Sequence, residues 1–194
     1  SILCALFKTD VLIARGYFYC PTSKSEVTGF DSYHLIQYGD KVQLWFGEAK
    51  FRTKYHQSIC EIIKKLSLTI SDDYLRSNIL AFENHKRNLN LQGSVIEKIL
   101  DDFRENPKIV IADKLQEYNV SLVYPVLIVY DGNDNYDNNI KKMLNYLVTK
   151  YNEISPKISL SIDYKIFFMI IPIKSVNTIK DEVIQCIKSK KPVI

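Results

Sequence analysis

Two segments rich in β-branched and aromatic residues, separated by a short polar stretch, constrain this chain more than any other feature. Residues 29–37 and 42–51 have the composition of strands, and Tyr38-Gly39-Asp40-Lys41 between them has the composition of a tight turn. A glycine at the first central position suits a type II′ turn, which pairs Tyr38 with Lys41 and thereby fixes every other pair of the hairpin. The sequence therefore predicts an antiparallel hairpin of defined register.

In this register Asp31 lies directly opposite Glu48. Opposed Cβ atoms of antiparallel strands are about 4.5–5.5 Å apart, and Lys50, two residues beyond Glu48, projects from the same face. The remaining residues on that face are apolar or aromatic, namely Tyr33, Leu35, Leu44 and Phe46. The charged groups are thus expected at the end of an apolar surface rather than in a solvated stripe.

Two neighbouring carboxylates in such a place need cations, because they repel each other and burial penalises their charged forms. Lys50 supplies one positive charge, and oxygen ligands of this kind favour Mg²⁺ or Mn²⁺ for the rest. A bound metal beside a lysine can generate the nucleophile and stabilise the phosphate charge that phosphodiester hydrolysis requires. The pattern therefore indicates a metal-dependent nuclease, and a structural salt bridge is the plainer alternative.

An acid on one strand and an acid-x-Lys on the next resemble the active site of the PD-(D/E)xK nuclease superfamily. The Gly-Phe-Asp segment at 29–31 and the Leu-Trp-Phe-Gly-Glu-Ala-Lys-Phe segment at 44–51 are similar to HamA, the nuclease subunit of Hachiman antiphage defence systems, and this similarity covers about residues 1–60. The resemblance implies that Asp31 and Glu48 bind the metal and that the Ala49 main-chain carbonyl is a further ligand. It also implies that Lys50 orients or helps to activate the attacking water.

The same resemblance implies a bacterial cytoplasmic effector that degrades DNA together with a helicase subunit, HamB. It implies no membrane partner. It further implies an acidic residue on a helix before the hairpin, and none is visible. The chain opens with Ser-Ile-Leu-Cys-Ala-Leu-Phe and has no initiator Met. At 194 residues and 46% hydrophobic, it can bury one sizeable core. We therefore expect residues 1–194 to form a single nuclease domain that lacks an N-terminal portion.

Helical and strand patterns alternate along the rest of the chain. Ile59, Ile62, Ile63 and Leu66 predict an amphipathic helix after the hairpin. Further helices are expected from Ser71, from Ser94 to Pro107, and over about residues 138–152 and 175–190, and a loop is expected between Pro107 and the next strand. In the third of these further helices, Ile140, Leu144, Leu147 and Tyr151 should lie on one face.

Other strands are expected over residues 11–19, 120–130 and 160–173, with residues 21–26 as a loop. Pro125 indicates an edge or bulge position for the second of them. Residues 166–173 are predicted to form a buried strand, because their apolar run is far shorter than the ~20 residues that cross a bilayer. The order predicts an α/β fold with a mixed central β-sheet flanked by helices and a PD-(D/E)xK, restriction-endonuclease-like core.

Arg52, Lys54 and Gln57 follow the Glu-x-Lys segment and are candidate nucleic-acid-binding residues. The net charge of +4 permits such binding without requiring it. His34 should project away from the acids, as a packed or hydrogen-bonded core histidine. Four scattered cysteines indicate reduced, partly buried thiols in a cytoplasmic protein.

Two other functions stay open at this point. One is a catalytically silent module with a nuclease fold that binds nucleic acid or docks on a helicase. The other is an unrelated restriction-type endonuclease of the same superfamily, which would share the site but not the helicase partner.

Overall fold

The structure, a computed structural model, describes residues 10–14, 18–20, 25–27, 30–38, 41–84, 92–132 and 136–189. Its strands are β1 (Asp10–Ala14), β2 (Phe18–Cys20), β3 (Ser25–Val27), β4 (Ser32–Tyr38), β5 (Lys41–Phe51), β6 (Val120–Asp131) and β7 (Tyr164–Ile173). Its helices are α1 (Tyr55–Thr69), α2 (Asp72–Asn84), α3 (Val95–Glu105), α4 (Ile111–Glu117), α5 (Tyr136–Ile154) and α6 (Val176–Ser189), and a 3-10 turn (Ser155–Lys157) follows α5.

Five of these strands form one sheet in the order β1-β4-β5-β6-β7. β1, β4 and β5 pair antiparallel, whereas β5, β6 and β7 pair parallel. Helix α1 packs on β5 and β6, and α6 contacts β6 through Val176, which lies with Leu127 and Val129 on the other face. The predicted α/β class, a mixed central sheet flanked by helices, is confirmed.

The β4–β5 hairpin has the predicted register. Tyr38 faces Lys41, and the pairing continues as far as Ser32, which faces Gly47. The two central turn residues lie outside the described residues, so the turn type stays a prediction. The register places Tyr33 and Phe46 on one face, and both are fully buried.

That face carries the main core of the protein. Leu44 pairs with Leu122 of β6 and Glu48 pairs with Val126, so the even-numbered residues of β6 continue the apolar surface. The helices cover this surface with the buried side chains Ile59, Ile62, Ile63, Leu66, Leu75, Ile79, Ile96, Ile99, Leu100, Leu115, Met143 and Leu147. The predicted apolar face of α1 is therefore confirmed.

Local capping starts the helices where the sequence predicted. Ser94 Oγ accepts the main-chain N–H of Glu97 at 3.2 Å, and Glu97 Oε2 accepts the N–H of Gly93 at 2.7 Å. These reciprocal bonds are of the capping-box kind and satisfy donors that a helix start leaves unpaired. Ser71 precedes α2, and its Oγ similarly accepts the main-chain N–H of Tyr74. No helix in the described ranges has the length and apolar composition needed to span a bilayer.

The prediction for residues 11–26 is wrong in two respects. β1 spans Asp10–Ala14 and pairs with β4, whereas β2, from the second half of the predicted strand, pairs with β3 in a separate two-stranded sheet. β3 lies partly within the stretch predicted as a loop. Composition shows that a segment is extended, but the partner that a strand takes is a non-local property, and no pattern within these residues specifies it.

Pro125 does not mark an edge or a bulge, because β6 lies between β5 and β7. The offset between β5 and β6 is the same at Trp45, which pairs with Val123, and at Glu48, which pairs with Val126, so no extra residue is inserted. Proline has no N–H to donate, and the ladder towards β5 is interrupted between these two pairs. On its other side Pro125 keeps its place opposite Phe167.

Burial and one connection also differ from the predictions. Leu144 is 42% exposed, because Met143, Leu147 and Ile154 form the buried face of α5. Among the described strands, β7, which contains residues 166–173, lies at an edge of the sheet rather than in a buried position, and Phe167 is 43% exposed. The stretch expected as a loop after Pro107 contains helix α4. Cys60 and Cys186 are exposed rather than partly buried.

His34 has the environment that the sequence predicted. It is fully buried opposite Trp45, on the face that alternates with that of Tyr33. Burial lowers the pKa of His34 from its ordinary value of 6.5, because a protonated imidazole would lose its hydration there. The native state therefore holds this side chain in its neutral form.

We expect this histidine to make stability depend on pH. Below about pH 6.5 the unfolded chain takes up a proton at His34 that the native state resists, so the free energy of unfolding should fall as pH falls, by at most about 1.4 kcal/mol per pH unit. Urea unfolding of the wild type and His34→Gln between about pH 8 and pH 5 measures this dependence. The variant should show a shallower slope, and equal slopes would contradict the assignment.

Candidate functional site

Glu48 lies near the carboxyl end of β5, where the strand continues beyond its antiparallel neighbour. The β4 pairing ends at Gly47, whereas the pairing with β6 continues from Glu48 to Phe51. Strand alternation puts the Glu48 side chain on the same face as Phe46, under helix α1. Only 4% of Glu48 is exposed. The fold therefore places a carboxylate inside the apolar layer, at the end of the sheet where ligands of parallel strands commonly bind.

Each carboxylate oxygen of Glu48 has its own ammonium partner. Lys50 Nζ lies 2.6 Å from Oε1, and Lys65 Nζ, which comes from α1, bonds to Oε2. Lys50 reaches the carboxylate along the strand, and Lys65 reaches it from the helix layer. A carboxylate buried this deeply needs such partners, since an unpaired buried ion costs several kcal/mol. The structure thus brings the predicted pair Glu48 and Lys50 together and adds a second lysine.

Asp31 approaches the same strand from the bend that precedes β4. Its Oδ2 accepts the main-chain N–H of Ala49 at 2.8 Å, and the residue is exposed. The last residue of β4 that pairs with β5 is Ser32, which follows Asp31 in the sequence. Asp31 therefore reaches β5 through its side chain rather than as a member of the ladder. The Glu-Ala-Lys segment therefore contains the buried carboxylate of Glu48 and binds the exposed carboxylate of Asp31.

Aromatic rings enclose the buried end of the cluster. The Phe30 ring stacks on Phe46 with centroids 5.3 Å apart, and Lys65 Nζ lies 4.9 Å from the Phe30 centroid. Tyr33 OH donates to Asn78 Oδ1 at 2.9 Å and accepts the N–H of Phe30. Burial raises the pKa of Tyr33, and the nearby Glu48 carboxylate raises it further. The tyrosine therefore stays neutral.

The three candidate nucleic-acid-binding residues lie where β5 leads into α1, and all are exposed. Arg52 Nη2 donates to both carboxylate oxygens of Glu61, at 3.2 and 3.3 Å. Lys54 is the N-cap residue of α1 and makes no side-chain cap bond, and Gln57 lies in the first turn. A ligand can reach all three residues, and Arg52 would exchange a surface ion pair in doing so.

The available oxygen donors are few but suit a small divalent cation. In the part of the chain that the structure describes, no three His, Cys, Asp or Glu side chains gather into a group that could hold a metal. Asp31, Glu48 and the Ala49 carbonyl offer two carboxylates and one carbonyl. Mg²⁺ commonly keeps several waters and uses one or two carboxylates together with substrate phosphates. This donor set therefore fits Mg²⁺, and Mn²⁺ accepts the same oxygen ligands.

The contact of Lys65 with Glu48 is the part of the candidate site that the sequence analysis did not identify. Lys65 lies three residues after Ile62 and directly before Leu66, both of which are buried on the apolar face of α1. The sequence does show a lysine at the margin of the apolar face, on the helix that follows Glu-x-Lys, and this position could have indicated a contact with the strand. Its contact with Glu48 depends on where α1 lies along the strands of the sheet, which the sequence pattern leaves undetermined.

Comparison with known proteins identifies the family of this chain. A family model described as HamA matches residues 2–187. Neither the curated proteins nor the solved structures contain a match. The family model spans nearly the whole chain, including the hairpin that carries Asp31, Glu48 and Lys50. The chain therefore belongs to the HamA family of Hachiman antiphage defence systems.

Proposed function

We propose that this HamA protein is a Mg²⁺-dependent nuclease that hydrolyses phosphodiester bonds of DNA. The position of Glu48 supports the proposal most: its carboxylate is buried at the end of an apolar strand, beside Lys50 and next to the residue whose N–H binds Asp31. Burying a carboxylate costs free energy, and clusters of such groups are concentrated at functional sites.

Each residue has a distinct role in this proposal. Asp31, Glu48 and the Ala49 carbonyl hold the divalent cation, which supplies a Lewis acid for the phosphate oxygens and an acidified water ligand. Glu48 is fixed by its surroundings and sets the position of the site. Lys50, anchored at Glu48 Oε1, orients the attacking water with its ammonium group. Asp31 is exposed and therefore remains accessible when a nucleic acid strand arrives.

Arg52, Lys54 and Gln57 are proposed to contact the phosphate backbone next to the reacting phosphate. They follow Lys50 within a few residues and are exposed. Contacts of this kind position a nucleic acid without reading its sequence. Because no base-reading element is assigned to them, the proposal predicts cleavage without strong sequence preference.

The family assignment makes this chain a component of a Hachiman antiphage defence system. We propose that it acts in the bacterial cytoplasm, as the effector subunit of a complex with a HamB-like helicase. The support for the helicase partner is the family resemblance of the hairpin segments. Co-purification with such a helicase from cells that express both proteins tests this part of the proposal directly.

A catalytically silent nuclease-fold module is the second candidate, and one observation favours it. Both oxygens of Glu48 are already neutralised, by Lys50 and by Lys65, so the cluster is a complete ion network without a metal. Such a module would bind nucleic acid or dock on the helicase. The unrelated restriction-type endonuclease has less support, because the HamA model matches nearly the entire chain.

Cleavage should depend on Glu48 and Lys50. Glu48→Gln and Lys50→Met should each lower Mg²⁺-dependent cleavage at least about a hundredfold, because each removes a charged group that acts at the reacting phosphate. The assay uses the full-length protein with its helicase partner, on supercoiled plasmid and on single strands, with Mg²⁺ or with a chelator.

Glu153→Gln and Lys150→Met are matched controls for these two variants. They remove the same charges from an exposed ion pair on α5, where Nζ and Oε1 are 2.7 Å apart, and should leave cleavage unchanged. Thermal unfolding establishes that each variant is folded. Undiminished cleavage by folded Glu48→Gln and Lys50→Met would refute the nuclease site. DNA binding by the wild type without any cleavage would support the silent module.

Lys54 should contribute one phosphate contact. Lys54→Ala should lower the slope of log Kobs against log salt concentration by about 0.7 to 0.9, because one fewer counterion is released on binding. Fluorescence anisotropy with a labelled oligonucleotide at several salt concentrations measures the slope. Lys157→Ala removes an exposed lysine from the 3-10 turn and should not change it. A slope that Lys54→Ala leaves unaltered would remove this residue from the interface.

A further inference from the structure

Lys65 is attached to the candidate site by two attractive contacts. Its ammonium group bonds to Glu48 Oε2 and lies 4.9 Å from the centroid of the Phe30 ring, which is itself buried. The lysine side chain is 22% exposed, so the ammonium lies at the boundary between the core and the solvent. A cation held over an aromatic face and against a carboxylate is strongly localised.

This contact places an ammonium group at Glu48 Oε2, an oxygen to which a metal would bind. Lys50 already lies at Oε1, so Glu48 has no carboxylate oxygen without an ammonium partner. A divalent cation and an ammonium group at the same oxygen repel each other strongly, because the surroundings screen their charges poorly. Glu48 therefore binds the divalent cation most favourably when one of the two lysines withdraws.

Lys65 is the lysine whose withdrawal disturbs the fold least. Lys50 belongs to β5, where its pairing with Ile128 fixes its backbone two residues from Glu48. Lys65 comes from the opposite layer, on a helix, and its four-carbon side chain can turn towards the solvent without any change in the sheet. Its neighbour Lys64 already has an exposed side chain.

We propose that Lys65 is a positioning residue that holds Glu48 in the metal-free site and competes with the divalent cation for Oε2. The proposal rests on the function proposed above, since it concerns the same metal site. Lys65 keeps the Glu48 carboxylate oriented before the cation arrives. The cation binds by replacing the ammonium group, which lowers the metal affinity of the resting protein.

The direct test is the affinity of the full-length protein for Mn²⁺ without nucleic acid, measured from the electron paramagnetic resonance signal of the free ion. Lys65→Met removes the competing charge and keeps an apolar side chain against Phe30. It should bind Mn²⁺ about tenfold more tightly than the wild type, the change expected when one poorly screened repulsion of about 1.4 kcal/mol is removed. A residue that only stabilised the fold would not increase metal affinity when replaced.

Three variants complete the test. Lys65→Arg keeps the charge and should bind Mn²⁺ as the wild type does. Lys64→Met, which removes the adjacent exposed lysine, should also bind as the wild type does. Glu48→Gln should abolish binding, which shows that the ion measured is the one at this site. If Lys65→Met unfolds, as judged by thermal unfolding, Lys65→Gln carries the same expectation.

The outcomes separate this inference from the proposed function. Mn²⁺ binding that depends on Glu48 but is unchanged or weaker in Lys65→Met would overturn the competition and leave the nuclease proposal intact. Binding that is independent of Glu48 would overturn both, and binding that is absent from both the wild type and Lys65→Met would overturn the competition alone, because substrate phosphates also contribute ligands in the nuclease proposal. Weak or undetectable binding by the wild type together with clear binding by Lys65→Met supports the competition.

Discussion

The enclosure of the Glu48 carboxylate between the sheet and helix α1 is the constraint on which the site depends. An ion with 4% exposure must be neutralised, and the two lysines that neutralise it come from different layers of the fold. Ile62 and Leu66 pack α1 on the sheet and so fix the point at which Lys65 enters the cluster. The packing of the apolar core therefore also determines the geometry of the charged site. A rotation of the helix would separate the lysine from the carboxylate and leave Glu48 with an unpaired oxygen.

The sequence predicted those parts of the site that local geometry determines. A short turn fixes the pairs of the β4–β5 hairpin, and strand alternation then places Lys50 on the face of Glu48, as the structure has it. The contact between Lys65 and Glu48 escaped prediction because it spans two layers, and the apolar pattern of α1 does not specify where the helix lies along the strands. Asp31 was expected as a paired residue, whereas its side chain reaches Ala49 from beyond the ladder. Strand ends are set by tertiary packing and fall outside such reasoning.

Pro125 and Phe167 show the same limit in the sheet. The rule that proline avoids central strands rests on one missing hydrogen bond, and β6 tolerates that loss because its pairing resumes at Glu48 with an unchanged offset. The apolar run at 166–173 predicted burial, but burial depends on whether a neighbour follows. Within the described residues β7 is the last strand of the sheet, and Phe167 is partly exposed there. Helix phase explains Leu144, since its neighbour Met143 takes the buried position instead.

The two acids differ in a way that would suit the proposed hydrolysis better than tight storage of a metal. Glu48 is immobilised by burial and by two ammonium groups, whereas Asp31 is exposed and attached to β5 through one N–H. Mg²⁺ requires near-octahedral geometry and gives up its waters reluctantly. A cation held by one rigid and one adaptable carboxylate would keep most of its positions for water and for a substrate phosphate. In the proposed nuclease it would supply both acidity for the attacking water and charge for the phosphate, which a closed cage of protein ligands would prevent.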